Sequence, residues 1–150
     1  MILRSISPSD FSQWQPLWDG YNKFYKRVIP TAVTQMTWSR FFDSYEPVNA
    51  LVAERDRRLV GLVHYLFHRN TAALGPVCYL QDLFTEEASR GCGVGRSLIE
   101  GVYAKARDAG ASYVYWLTHE TNLTARGLYK QVAEHSGFIM YGKAISSETR

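Results

Sequence analysis

Three glycines fall within five residues at Gly91, Gly93 and Gly95, inside the stretch "SRGCGVGRSLIE". No other segment restricts the fold as sharply. Glycine reaches positive φ without a steric cost, so the run specifies a tight loop whose backbone N–H groups can turn toward one point. Behind it, Val94, Leu98, Ile99, Val102, Tyr103 and Ala106 recur at helical spacing, and Gly110 offers a stop. A loop of this kind feeding a helix start presents unpaired N–H groups and the positive end of the helix dipole. That combination suits a phosphate or pyrophosphate, with Arg90 and Arg96 placed to add charge. A glycine-rich turn that binds nothing is the plain alternative for such a loop taken alone.

Two phosphate-binding patterns are excluded by spacing. A P-loop needs glycine, four residues, then Gly-Lys-Ser/Thr, whereas Arg90 stands five before Gly95 and Arg96 takes the lysine's place. A dinucleotide fingerprint needs G-x-G-x-x-G, and this is G-x-G-x-G, placed past mid-chain.

The flanking sequence predicts an α/β domain with a mixed sheet. Ile2 to Ile6 reads as a strand, and "SPSD" as helix-start chemistry. Phe11, Trp14, Leu17, Trp18, Tyr21, Phe24 and Tyr25 then fall on one helical face, with a kink or delayed start expected at Pro16. A second helix is expected over Thr34 to Ser44. "ALVAERDRRLVGLVHYLFH" reads as a hairpin turning at "RDRR", and Val77 to Phe84 as a strand entering the glycine loop. "SYVYWLTH" reads as a buried strand, Asn122 as the cap of a short helix carrying Leu128, Tyr129 and Val132, and Phe138 to Ile145 as a closing strand. At 150 residues, with 46% hydrophobic and 21% charged side chains and no linker or repeat, one domain over residues 1–150 is expected.

Composition narrows the function classes. Seventeen basic against fourteen acidic side chains leave +3, too mild a charge to argue for nucleic acid. No run approaches the roughly 20 apolar residues of a membrane span, and "MILRSISPSD" has no signal-peptide core. Cys78 and Cys92 lack metal or disulfide spacing, and His64 and His68, four apart on one strand, lack a third ligand nearby. A cytoplasmic protein with free thiols and no metal is the expectation.

The loop pattern "RGCGVG", Arg-x-x-Gly-x-Gly, resembles the acetyl-CoA pyrophosphate loop of the GCN5-related N-acetyltransferase (GNAT) superfamily. "CYLQDLFTEEASR" before it resembles that family's central strand. "VYWLTHETNLTARGLYKQVAEHSGFIMYGK" after it resembles the later segments, with a tyrosine seven residues beyond the capping asparagine. The resemblance spans roughly residues 49 to 145. Within the superfamily, "YLQDLF" and "ARGLYK" are most similar to the yeast Hpa-type histone and D-amino-acid acetyltransferases and to the spermidine/spermine acetyltransferases. It implies a GNAT fold, a mixed sheet of about six or seven strands with flanking helices, and a homodimer.

The same resemblance implies a site. Leu83, Phe84 and Thr85 would contact the pantetheine arm where two strands splay. Arg90, Gly91, Cys92, Gly93, Val94, Gly95 and Arg96 would hold the pyrophosphate, and Asn122, Ala125 and Tyr129 would border the arm. Cys92 has no catalytic role in the pattern. Tyr129 would protonate the departing CoA thiolate, a task suited to a phenol whose ordinary pKa is about 10. Acetyl transfer also needs the acceptor amine deprotonated. Asp82 and Glu120, at strand ends beside the expected gap, are the candidate bases. The spermidine/spermine enzymes carry a glutamate where this chain has Gln81, and an amide neither takes a proton nor attracts a polyamine. Gln81, Asp82 and Tyr25, the last opening the "YKRVIPT" loop, are expected to meet the acceptor. The function implied is acetyl-CoA-dependent transfer to a primary amine, whether a small molecule, an amino acid or a lysine side chain. A non-catalytic acyl-CoA-binding regulatory module is the competing reading.

Overall fold

The structure is a computed structural model that describes residues 1–147. The chain divides into two compact units, Met1–Leu117 and Thr118–Arg150.

The first unit is built on a five-stranded sheet in the order β1-β2-β3-β4-β5. Its strands are β1 (Ile2–Ser5), β2 (Val48–Arg55), β3 (Arg58–Arg69), β4 (Pro76–Thr85) and β5 (Val114–Tyr115). The first four run antiparallel to their neighbours, and β5 lies parallel to β4. The sheet is mixed as expected, with five strands among the described residues rather than six or seven. β2 and β3 join through Asp56 and Arg57, both at positive φ (50° and 62°). Two such residues are what a two-residue type I′ turn requires, and this hand matches the twist of the strands it joins.

Helices cover both faces. α1 (Phe11–Phe24) and α2 (Thr31–Arg40) lie on one side, where Trp14, Leu17, Trp18 and Tyr21 form a buried cluster with Val52 and Leu62. α3 (Val94–Asp108) lies on the other, against Leu51 and Gly61. A Cβ on Gly61 would meet Val94, Leu98 and the Phe84 carbonyl, so glycine permits the close approach of α3 there. With both faces covered, β3 is buried without interruption from Leu59 to Tyr65. α1 begins at Phe11 and continues through Pro16 instead of starting late. Pro16 lies near the helix start, where its missing N–H leaves only one early carbonyl without an intrahelical donor. α2 starts three residues before its expected start at Thr34 and stops at Arg40.

α3 ends in a Schellman motif, with Ala111 N–H bonded to the Ala106 carbonyl and Gly110 N–H to that of Arg107. The chain then returns as β5, which pairs with β4 only at Cys78↔Val114 and Tyr79↔Tyr115. The expected strand over "SYVYWLTH" is thus reduced to two half-buried residues, because the pairing that would extend it stops at Tyr79.

In the second unit, α4 (Leu123–Val132) carries the expected short helix, with Asn122 at its N-cap position. The Asn122 side chain donates to Thr118 Oγ1 at 3.3 Å rather than bonding a helix N–H. Phe138 to Ile145 forms no strand, and Phe138, Ile139, Met140, Tyr141 and Ile145 are exposed. Its alternation suits a ladder, but no strand pairs with it among the described residues.

Candidate active site

The glycine loop has the geometry its sequence specified. Gly91 and Gly93 sit at φ +75° and +79°, and a Cβ added to either would meet nothing within 4 Å. The glycines therefore serve backbone conformation, and the space above them is open. Gly93 is the N-cap of α3, so the N–H groups from Val94 onward point out of the loop. Val94 itself is buried with Leu98 on the sheet side, so only its backbone faces the open side of the loop. Arg90 folds back on β4: its Nε donates to the Thr85 carbonyl at 3.1 Å, and its guanidinium lies 5.6 Å from the Phe84 ring centroid. It braces the loop on the strand end. Cys92 is an exposed free thiol in the turn, and Gly95 and Arg96 follow Val94 in the first turn of α3.

Beside the loop, β4 parts from β5 after Tyr79, and Leu80 to Thr85 have no strand partner on that edge among the described residues. By the alternation of an antiparallel ladder, Leu83 and Thr85 turn their backbone groups to this open edge beside the glycine loop, whereas those of Phe84 face Leu62 on β3. A pyrophosphate above the glycines and an extended amide chain along this edge fit what the residues offer.

The parting coincides with a bulge. Tyr65 pairs with Leu80 and His64 with Asp82, so Gln81 is the extra residue on β4. In a regular strand Leu80 and Asp82, two apart, would share a face. The extra residue turns Asp82 instead to the α1 side, directly opposite His64. There Trp14 Nε1–H donates to His64 Nε2 at 3.1 Å, and His64 Nδ1 meets Asp82 Oδ2 at 2.9 Å. His64 and Asp82 are 2% and 8% exposed.

Asp82 lines a cavity of about 170 Å3 with His64, Gln81, Trp18, Thr37 and Arg40. Burial, and then the charge and hydrogen bond of Asp82, push the Tyr21 phenol up, so it stays protonated and donates. Burial raises Tyr25 as well, opposed by Arg27 and helped by Asp82. The Arg27 guanidinium lies 5.1 Å and 5.4 Å from the Tyr21 and Tyr25 ring centroids. Its buried Nε and Nη2 have no hydrogen-bond partner among the described residues. A larger depression, of about 500 Å3, lies by Arg69 and Pro76 at the other end of the β3–β4 pair and holds none of the candidate residues.

The first unit therefore brings together Asp82, Gln81 and the loop of glycines, with Tyr25 at the end of α1. The second unit carries Glu120, Asn122, Ala125 and Tyr129. Glu120 is exposed, and its carbonyl accepts from Arg126 at 2.7 Å. Tyr129 is half-buried on α4, with Ala125 one turn before it. Sequence reasoning missed His64, Trp14 and Arg40. The spacing of His64 and His68 raises only the question of a metal, whereas the partner of His64 in the structure is Asp82. That pairing is set by strand register, which no local spacing reveals.

Comparison with known proteins identifies the family. Residues 13–133 match the model of the acetyltransferase (GNAT) family. The D-amino-acid N-acetyltransferase HPA3 of Saccharomyces cerevisiae is 36% identical over 143 residues, covering 94% of this chain and 89% of the yeast protein. YhfO of Bacillus subtilis, described as an uncharacterized N-acetyltransferase, is 26% identical over the same length, covering 94% of this chain and 95% of its own. Among solved structures, a probable acetyltransferase superposes with a TM-score of 0.87 at 22% identity, covering 99% of this chain and 100% of that one. With the loop, the parted strands and these relatives in view, the chain belongs to the GNAT acetyltransferase family and is an N-acetyltransferase that moves the acetyl group of acetyl-CoA to an amine.

Proposed function

We propose that the acceptor is the amine of a small free amino acid. One observation carries this reading: Asp82 and Arg40, opposite in charge, line the same small cavity. A zwitterion presents an ammonium to the first and a carboxylate to the second, where Arg can bond in a two-pronged fork. The cavity holds the volume of five or six waters at roughly 30 Å3 each, which suits a compact substrate. Gln81 leaves Asp82 as the one carboxylate on that wall, a poor match to a polyamine. The name of the yeast relative, a D-amino-acid N-acetyltransferase, supports the same class.

Within this reading Asp82 receives the ammonium and takes its proton, directly or through water. Glu120 is the second candidate base, and Gln81 and Tyr25 complete the acceptor contacts. Backbone N–H groups of Gly91 to Arg96 hold the co-substrate's pyrophosphate, helped by Arg90 and Arg96. Leu83 and Thr85 bond its amide arm, Phe84 lies between them, and Asn122, Ala125 and Tyr129 border it. A backbone N–H near Leu83 facing the thioester oxygen supplies a few kcal/mol of stabilisation as charge develops there, about 3 kcal/mol for one such donor. The Tyr129 hydroxyl gives its proton to the leaving sulfur. The two units act as one domain in a homodimer. The unpaired Cys78 and Cys92 accord with a reducing cytoplasm.

Thiol release from acetyl-CoA across paired acceptors, each amino acid in both enantiomers beside the amine that lacks its carboxylate, tests this. The intact protein should prefer the amino acids. Arg40→Leu should raise the amino-acid KM by about 10- to 100-fold, the worth of one charged hydrogen bond, and leave the matched amines unaffected. Preference for the amines without a carboxylate would refute the reading.

A further inference from the structure

The buried bonds around His64 fix the position of one proton. An indole N–H can only donate, so His64 Nε2, 3.1 Å from Trp14 Nε1, must accept. The proton of the neutral ring then sits on Nδ1, which faces Asp82 Oδ2 at 2.9 Å. The donors run in one direction, from indole to imidazole to carboxylate. Trp14 is fully buried, so water does not compete for its bond. The Trp18 and Phe41 rings, with centroids 5.4 Å and 4.8 Å from that of His64, hold the imidazole plane.

We propose that His64 is the positioning residue of the acceptor site. Its Nδ1–H holds one oxygen of Asp82, setting the carboxylate's orientation toward the amine. Trp14 covers the lone pair through which the imidazole would accept a proton. His64, although it lines the cavity, is thereby kept from serving as the base, and that task stays with the carboxylate. The inference rests on the reading of Asp82 as the partner of the acceptor ammonium. Around the pair the other titratable or charged groups are Tyr21 and Tyr25 from the end of α1, Arg27 beside their rings, and Arg40 from α2, whose Nε lies 3.8 Å from Glu46.

Two measurements on the full chain test it. In the ring ¹⁵N spectrum, the neutral imidazole of His64 should carry its proton on Nδ1 and leave Nε2 bare. A neutral ring with its proton on Nε2 would overturn the proposal, and this readout needs no variant to fold. The second measurement is kinetic. His64→Asn places an amide N–H near the position of Nδ1, whereas His64→Leu offers none, and both leave the Trp14 N–H unpaired. The Asn variant should keep kcat/KM for the amine within a few-fold. The Leu variant should lose on the order of 10²-fold, the usual cost of a misplaced reacting group, with the acetyl-CoA KM unchanged. A merely structural role would lower the melting temperature of both and leave their kinetics alike, which would overturn the proposal. Full turnover by Asp82→Asn would refute the acceptor-site reading instead, and the positioning role with it, even with the ring proton on Nδ1.

Discussion

Arg4 shows how a single side chain ties the start of the chain to the sheet. Its guanidinium holds Asp10 by two bonds, Nη1 to Oδ2 at 2.7 Å and Nη2 to Oδ1 at 2.9 Å, and its Nε donates to Glu54 at 2.7 Å. Asp10 is buried and also accepts from the Ser7 N–H at 2.8 Å. The Arg4 bonds, helped by that N–H, hold the Asp10 carboxyl below the usual aspartate range against the opposing effect of burial. A depressed folded-state pKa stabilises the protein above the unfolded value and ceases to do so as pH falls through the folded one. The contribution should therefore be complete above about pH 4 and fade below it. Asp10→Asn should cost about 1–3 kcal/mol at neutral pH and flatten the acid limb of a plot of melting temperature against pH. An unchanged acid limb would mean that other carboxylates set it. "SPSD" displayed the helix-start chemistry in the sequence, but not this partner. Arg4 reaches Glu54 across the β1–β2 pair, as His64 reaches Asp82 across that of β3 and β4.

At the scale of elements, what was legible divides by range. The hairpin, the strand into the glycine loop, α3 and α4 each announce themselves within their own residues, through periodicity and punctuation. β5 and the expected closing strand failed because a strand exists only by pairing, and apolar alternation in "SYVYWLTH" and "FIMYGKAI" cannot say whether a partner is present. The loop is the clearest local success, since positive φ at Gly91 and Gly93 follows from residue type. Its role can be separated from its stability. Gly93→Val meets no steric obstacle from neighbouring atoms but must hold a left-handed conformation that a β-branched residue resists. Its cost to folding should be about 1–3 kcal/mol, while on the proposed site the backbone approach to a pyrophosphate should be lost. Calorimetry should find CoA affinity reduced at least about tenfold, with the heat-unfolding transition still cooperative. Unaltered affinity would remove the loop from the binding site.

For the whole molecule, the exposed apolar run from Phe138 to Ile145 bears on assembly. Five large apolar side chains lie open within eight residues, and apolar surface of this kind is what an interface with a second copy would cover. A second copy as the occupant implies a solution mass twice the 17.1 kDa of one chain. Light scattering at micromolar concentration should find that dimer, and Phe138→Asp with Tyr141→Asp should return it to one chain. A wild-type monomer would refute the assembly. The bulge at Gln81 has a different kind of consequence, one of heredity. Substitution at position 81 alters a side chain but not the residue count, so it leaves Asp82 opposite His64. An in-frame loss of that codon would also leave every other cross-strand partner of β3 in place, yet it would remove the bend beside the parted strands. The geometry of the gap thus varies by gain or loss of a residue more readily than by exchange, and a lineage can close or reopen it in one step without rewriting the core.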